Sequence, residues 1–81
     1  MTFPLSVYSI DREIFAGQAS AVTVPGAEGQ LQILANHTPL VSLLKEGDIA
    51  IEGENSKKET LPIRGGVLEV NSKEVVVLVN F

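Results

Sequence analysis

His37 is the only imidazole in the chain, cysteine is missing, and no serine lies in a nucleophile-elbow sequence. The residue types that carry most side-chain catalysis are therefore too few to assemble a triad. Between Asn36 and Thr38-Pro39 the histidine has two readings: a contact or pH-responsive group, or a ring bonded to the backbone of its own turn. A metal site would need Glu28 or Asp48, from distant segments, to join this one imidazole without a second histidine or a thiolate. Paired-carboxylate glycosidase chemistry needs a substrate cleft that a small β domain rarely supplies. Gly26-Ala27-Glu28-Gly29 has the glycine spacing of a phosphate-cradling loop but lacks the lysine and the following helix. It reads better as a tight turn in which Pro25 fixes φ, Gly26 and Gly29 take positive φ, and Glu28 and Gln30 stand at or near the tip. These residues point to no catalytic group, no cofactor and no metal, and to loop tips shaped for contact.

The elements that position those tips follow from composition and period. With 81 residues, 44% hydrophobic and 20% charged, the chain has room for one compact domain and is far from a disordered composition. Lacking cysteine, it has no disulfide or thiolate site to reinforce so small a core, so a partner surface is expected to contribute to stability. A net charge of -4, with Arg12, Lys45, Lys57, Lys58, Arg64 and Lys73 scattered except for one adjacent pair, argues against nucleic acid as a partner. The amino terminus lacks a basic leader, and no run approaches the ~20 apolar residues that cross a bilayer. A soluble domain that can sit on a membrane complex is the expectation.

Apolar residues recur with period two and turn residues return at short intervals, an all-β pattern. Phe3, Leu5 and Val7 alternate with Pro4, Ser6 and Tyr8. Ser20, Val22 and Val24 alternate with Ala19, Ala21 and Thr23 until Pro25-Gly26 breaks the strand. Leu31 and Ile33, then Leu40 to Leu44, then Ile49 and Ile51, then Leu61 and Ile63, mark further strands. Pro62 inside the last of these implies an edge or a bulge. Gly65-Gly66 leads into Val67 to Val70, and Asn71-Ser72-Lys73 turns the chain into Val75 to Val79. Eight or more short strands are best housed in a flattened β sandwich or barrel, all in a single domain of residues 1–81.

The final strand is apolar on both faces, Val75, Val77 and Val79 on one and Val76 and Leu78 on the other. The second face is either internal, under a loop or a barrel closure, or an exposed patch that docks on another protein. Val67 and Leu34 would widen such a patch.

The sequence VTVPGAEGQLQILANHTPLVSLLKEGDI, followed by RGGVLEVNSKEVVVLV, resembles the amino-terminal domain of the epsilon subunit of F-type ATP synthases. The shared elements are Phe15-Ala-Gly17, Pro25-Gly26-x-x-Gly29, His37-x-Pro39-Leu40, Gly47-Asp48-Ile49 and Gly65-Gly66-x-x-Glu69-Val70, in that order along nearly the whole chain. The resemblance implies a flattened, roughly ten-stranded sandwich that binds the gamma subunit and the ring of c subunits. It implies a noncatalytic rotor subunit of the central stalk, peripheral on the cytoplasmic face of the bacterial plasma membrane. Carried over by position, Glu28, Gly29 and Gln30 meet the c-ring, and Ser9, His37 and Ser42 face gamma. Relatives often carry an acid where Gln30 stands, which leaves Glu28 or a hydrogen bond to make that contact here.

Members of that family usually continue into a pair of carboxy-terminal helices that act as an inhibitory arm. Here the sequence stops at Phe81, after the last strand, which the resemblance reads either as a naturally short epsilon or as an excised domain, in both cases without the arm. The alternative from another class is a stand-alone β module that binds a peptide or carbohydrate.

Overall fold

A computed structural model describes residues 1–81. Eight strands follow one another: β1 Phe3–Tyr8, β2 Glu13–Gly26, β3 Gly29–Leu34, β4 Leu40–Leu44, β5 Gly47–Gly53, β6 Lys58–Ile63, β7 Gly65–Val70 and β8 Val75–Asn80. A single 3-10 turn, Glu54–Ser56, joins β5 to β6, and no helix is long and apolar enough to cross a membrane.

The 14-residue β2 builds two layers from one strand. Its first half pairs antiparallel with β1, from Tyr8↔Glu13 to Phe3↔Ala19; its second half pairs with β3 and β5. One layer therefore runs β2-β1-β8-β7-β4 and the other β3-β2-β5-β6, and the first and last strands of the chain lie side by side in parallel. The register with β5 slips between Ala19 and Ala21, where the Ser20 hydroxyl donates to the Glu52 carbonyl at 3.1 Å. Such a bulge adds a residue to one strand and bends it. It also corrects the expected alternation, which put Ala19 and Ala21 opposite Val22 and Val24: Ala19, Val22 and Val24 all belong to the core because the extra residue resets which side faces inward, while Ala21, paired with the exposed Leu34, is covered on the outer side.

The core lies between the layers, with Leu5 and Val7 from β1, Ile33, Ile49, Leu68 and Val77 all essentially without exposed surface. Burying each such side chain contributes about 1.5–3 kcal/mol. Pro62 falls where a proline is tolerated, since β6 pairs only with β5 and its other edge is open. The β7–β8 turn is held by Asn71, whose Oδ1 accepts from the backbone N–H groups of Lys73 and Glu74 at 2.8 and 2.9 Å.

The Pro25–Gln30 turn differs from expectation. β2 does not break at Pro25; it continues through Gly26, which pairs with Gly29 across a two-residue turn of Ala27 and Glu28. Only Gly29 has positive φ, at 137°. Gly26 is buried and needs glycine for space, because a Cβ there would stand 2.5 Å from the Gly29 carbonyl oxygen.

Candidate functional site

Side chains alternate across a strand, so residues paired with one another share a face. In the β1-β8-β7-β4 layer the inward set is Leu5, Val7, Val77, Leu68 and their neighbours, which leaves the other set facing out. One outward row runs Tyr8↔Leu78, Leu78↔Val67 and Val67↔Leu43 across four neighbouring strands; beside it runs Ser6↔Val76, Val76↔Glu69 and Glu69↔Val41. At the usual spacing between strands the first row spans about 14 Å. Leu43 is 65% exposed, Val41 71%, Leu78 41% and Tyr8 37%, with Val67 and Val76 half-buried. Glu69 is the only charged residue in the two rows.

The second face of β8 is thus open and apolar, and Val67 widens it. Leu34 does not: it is exposed, but it sits on β3 in the other layer, paired with Ala21 of β2. Tyr8, Val41 and Leu43 complete the patch and were not singled out by sequence reasoning. The signal for two of them was present, since Leu40 to Leu44 is apolar apart from Ser42 and places Val41 and Leu43 together on one face.

The Glu28-Gly29-Gln30 tip is exposed and fastened beside this patch. The Ala27 N–H donates to the Leu43 carbonyl and the Lys45 N–H to the Pro25 carbonyl, each at 2.8 Å, which ties the hairpin to the end of β4. Between them lies an open groove of about 350 Å³ lined by Glu28, Gln30, Leu31, Val41 and Ser42. Ser42 therefore belongs with the tip, its hydroxyl donating to the Leu43 carbonyl at 3.1 Å. Ser9 caps the β1–β2 turn, its hydroxyl bonded to Asp11 Oδ1 at 2.8 Å and its N–H to the Arg12 carbonyl at 2.9 Å.

His37 is half-buried in the β3–β4 loop and lines a separate cavity of about 360 Å³ with Met1, Phe3, Leu34 and Lys73. Its Nδ1 lies 2.8 Å from the Thr38 carbonyl; a carbonyl only accepts, so Nδ1 carries the proton in this arrangement. Of its two sequence readings, the ring bonded to its own turn is the geometry present. Ser9, His37 and Ser42 do not converge on one site. No polar or charged side chain is buried, and no three His, Asp or Glu residues approach closely enough to hold a metal ion. Desolvated titratable groups, the usual equipment of an active site, are lacking. What the surface offers is an apolar sheet face with a rigid polar tip at its border.

Residues 2–81 match the family of the ATP synthase delta/epsilon chain, β-sandwich domain. The ATP synthase epsilon chain of Psychrobacter sp. (strain PRwf-1) is 44% identical over 77 residues, which cover 95% of this chain and 56% of that one. The chain thus spans little more than half the length of this curated relative. Among solved structures, a chain of the Euglena gracilis mitochondrial ATP synthase OSCP/F1/c-ring assembly superposes with a TM-score of 0.90 at 29% identity, over 96% of this chain and 50% of that one. A chain of the Tetrahymena thermophila mitochondrial ATP synthase central stalk and c-ring gives a TM-score of 0.80 at 17% identity, over 100% and 65%, a likeness of fold. The order of motifs, the two-layer sandwich and these matches agree: the chain belongs to the ATP synthase delta/epsilon family and is its β-sandwich domain.

Proposed function

We propose that this domain is a noncatalytic element of the ATP synthase rotor, binding the gamma subunit through the outer face of β1, β8, β7 and β4 and meeting the c-ring through Glu28, Gly29 and Gln30. The observation that carries this reading is the contiguous row Tyr8, Leu78, Val67 and Leu43, in which exposed and half-buried apolar side chains adjoin across four paired strands, whereas the exposed Met1, Ile10, Leu34 and Phe81 do not belong to it. Contiguous exposed apolar surface of this kind marks a partner interface. Of the three residues carried over to the gamma contact, Ser9 follows Tyr8 at one end of the row and Ser42 precedes Leu43 at the other. His37 lies farther away, in the loop before β4. In the complex the domain sits peripherally on the cytoplasmic face of the bacterial plasma membrane.

Torque from the ring has to pass without the intermediary yielding. A sandwich closed by β2 in both layers, with its tip bonded to β4, supplies that stiffness through ladders and a packed core. The test is mixing with the cognate gamma subunit: co-elution at micromolar concentration is expected, and its absence overturns the assignment. A carbohydrate or peptide ligand bound with indifference to gamma would favour a stand-alone module instead. A charge reversal, Glu28→Lys, separates the two contacts. The residue is exposed at the tip, so gamma binding should stay within about twofold, as surface charges act weakly. Ring attachment of the reconstituted complex, read by sedimentation with c-ring liposomes, should fall several-fold, and unchanged attachment would remove Glu28 from the ring contact.

A further inference from the structure

The two layers meet along a seam that strand pairing does not close. β3 bonds only to β2, while β4, beyond its ladder with β7, reaches β2 at the single pair Gly26↔Leu44. From Leu40 to Ser42 the edge of β4 turned away from β7 has no strand beside it. The N–H and C=O of one strand residue point to the same side, and residues two apart share that side. Since the Leu43 carbonyl accepts from Ala27 at the closed end of the seam, Val41 presents its own N–H and C=O to the open part.

Open edges are usually blunted by charge or proline. β6 carries Lys58, Glu59 and Pro62 on its open edge, whereas β4, Leu-Val-Ser-Leu-Leu, has neither device. Behind this edge the core is visible: Leu31 and Leu40 pack against it yet remain only partly buried. A helix covering the groove, its own backbone groups bonded internally, leaves the Val41 main-chain groups unpaired, but an extended segment pairs them and sends alternate side chains over Leu31 and Leu40. The apolar row Leu43–Val67–Leu78–Tyr8 ends at this same edge, so a protein seated on the row reaches it without a gap.

We infer that the β4 edge accepts an extended, uncharged, alternately apolar segment of the neighbouring subunit as an added strand. This rests on the proposed gamma contact and names its main-chain component. Amide hydrogen exchange of the domain alone and with gamma tests it. The Val41 amide should exchange freely in the isolated domain and slow at least tenfold in the complex. Val41→Pro, which removes that N–H at an edge position where proline is tolerated, should weaken gamma binding about tenfold with the melting temperature retained, while Val41→Thr, which keeps the N–H, should bind within a few-fold of the original.

If the original protein binds gamma but Val41 stays unprotected, or Val41→Pro binds as Val41→Thr does, the strand-addition inference is wrong and the interface reading survives. If the original does not bind gamma, the interface reading itself fails. Protection of Val41 that rises with the concentration of the domain alone would assign the edge to a second copy and overturn the inference.

Discussion

Replacing Leu78 by aspartate is expected to weaken the complex with gamma about 100-fold, which is about 2.7 kcal/mol, while the isolated domain stays folded. Leu78 stands in the middle of the outer row, between Tyr8 of β1 and Val67 of β7, and is 41% exposed in the free domain. Its loss costs the fold little, since the inward face of β8 is carried by Val75, Val77 and Val79 and a strand-propensity penalty is on the order of 1 kcal/mol. At the centre of an apolar interface the same carboxylate has to give up water without a partner, the most expensive change a contact surface can be asked to absorb. Leu78→Ala removes only packing and should cost about tenfold in affinity. Titration calorimetry with gamma, beside circular dichroism of the variants, separates the two effects. Aspartate binding as tightly as leucine would move the gamma contact off this face.

Much of the fold was legible in the sequence because its determinants are local. Period-two alternation located β1, β5 and β6, Pro62 marked an edge, and Asn71-Ser72-Lys73 marked a hairpin, each through chemistry within a few residues. The ordered motifs gave the family. What escaped depends on partners distant in sequence. The length of β2 and its bulge at Ser20 are fixed by pairing with β1 on one side and Glu52 on the other, so no local pattern announced that Ala19 and Val22 would both face inward. Gly26 carried the same ambiguity, since a glycine needed for close approach looks in sequence like one needed for positive φ.

The candidate surface was half legible for the same reason. A doubly apolar strand says that its second face needs a cover, but which strands join it is a matter of sheet order. β8 lies between β1 and β7, with β4 beyond, which brings Tyr8, Val41 and Leu43 to the patch; β3 is bonded to the other layer, which takes Leu34 away from it. His37 drew notice as the lone imidazole, yet its loop holds it against Thr38, away from the row.

The largest stability effect is expected at Gly66, where fold and interface share one backbone. Gly66 pairs with Val79 on one side and with Leu44 on the other, and its φ of 158° lies where side chains are rarely accommodated. A Cβ built there would stand 2.2 Å from the Leu78 carbonyl oxygen and 3.1 Å from the Val79 Cα. Both are main-chain atoms of a strand held on its far side by β1, so no side-chain rotation relieves the clash and β7 and β8 have to part. Gly66→Ala should destabilise the domain by about 2–4 kcal/mol. For a chain of this length that lowers the melting temperature by roughly 10–25 °C. Gly65 is the control: it is buried beside Gly66, but a Cβ there meets nothing nearer than the Leu44 carbonyl oxygen at 3.4 Å. Gly65→Ala should therefore cost less than about 1 kcal/mol. Thermal unfolding of the pair by circular dichroism reads the difference directly. Because Val67 and Leu78 flank the strained junction, Gly66→Ala should also lose gamma affinity at temperatures where it is still folded, an effect Gly65→Ala should not share. Equal melting of the two variants would mean that the close approach of β7 to β8 is not what Gly66 serves, and that the outer row does not depend on it for its shape.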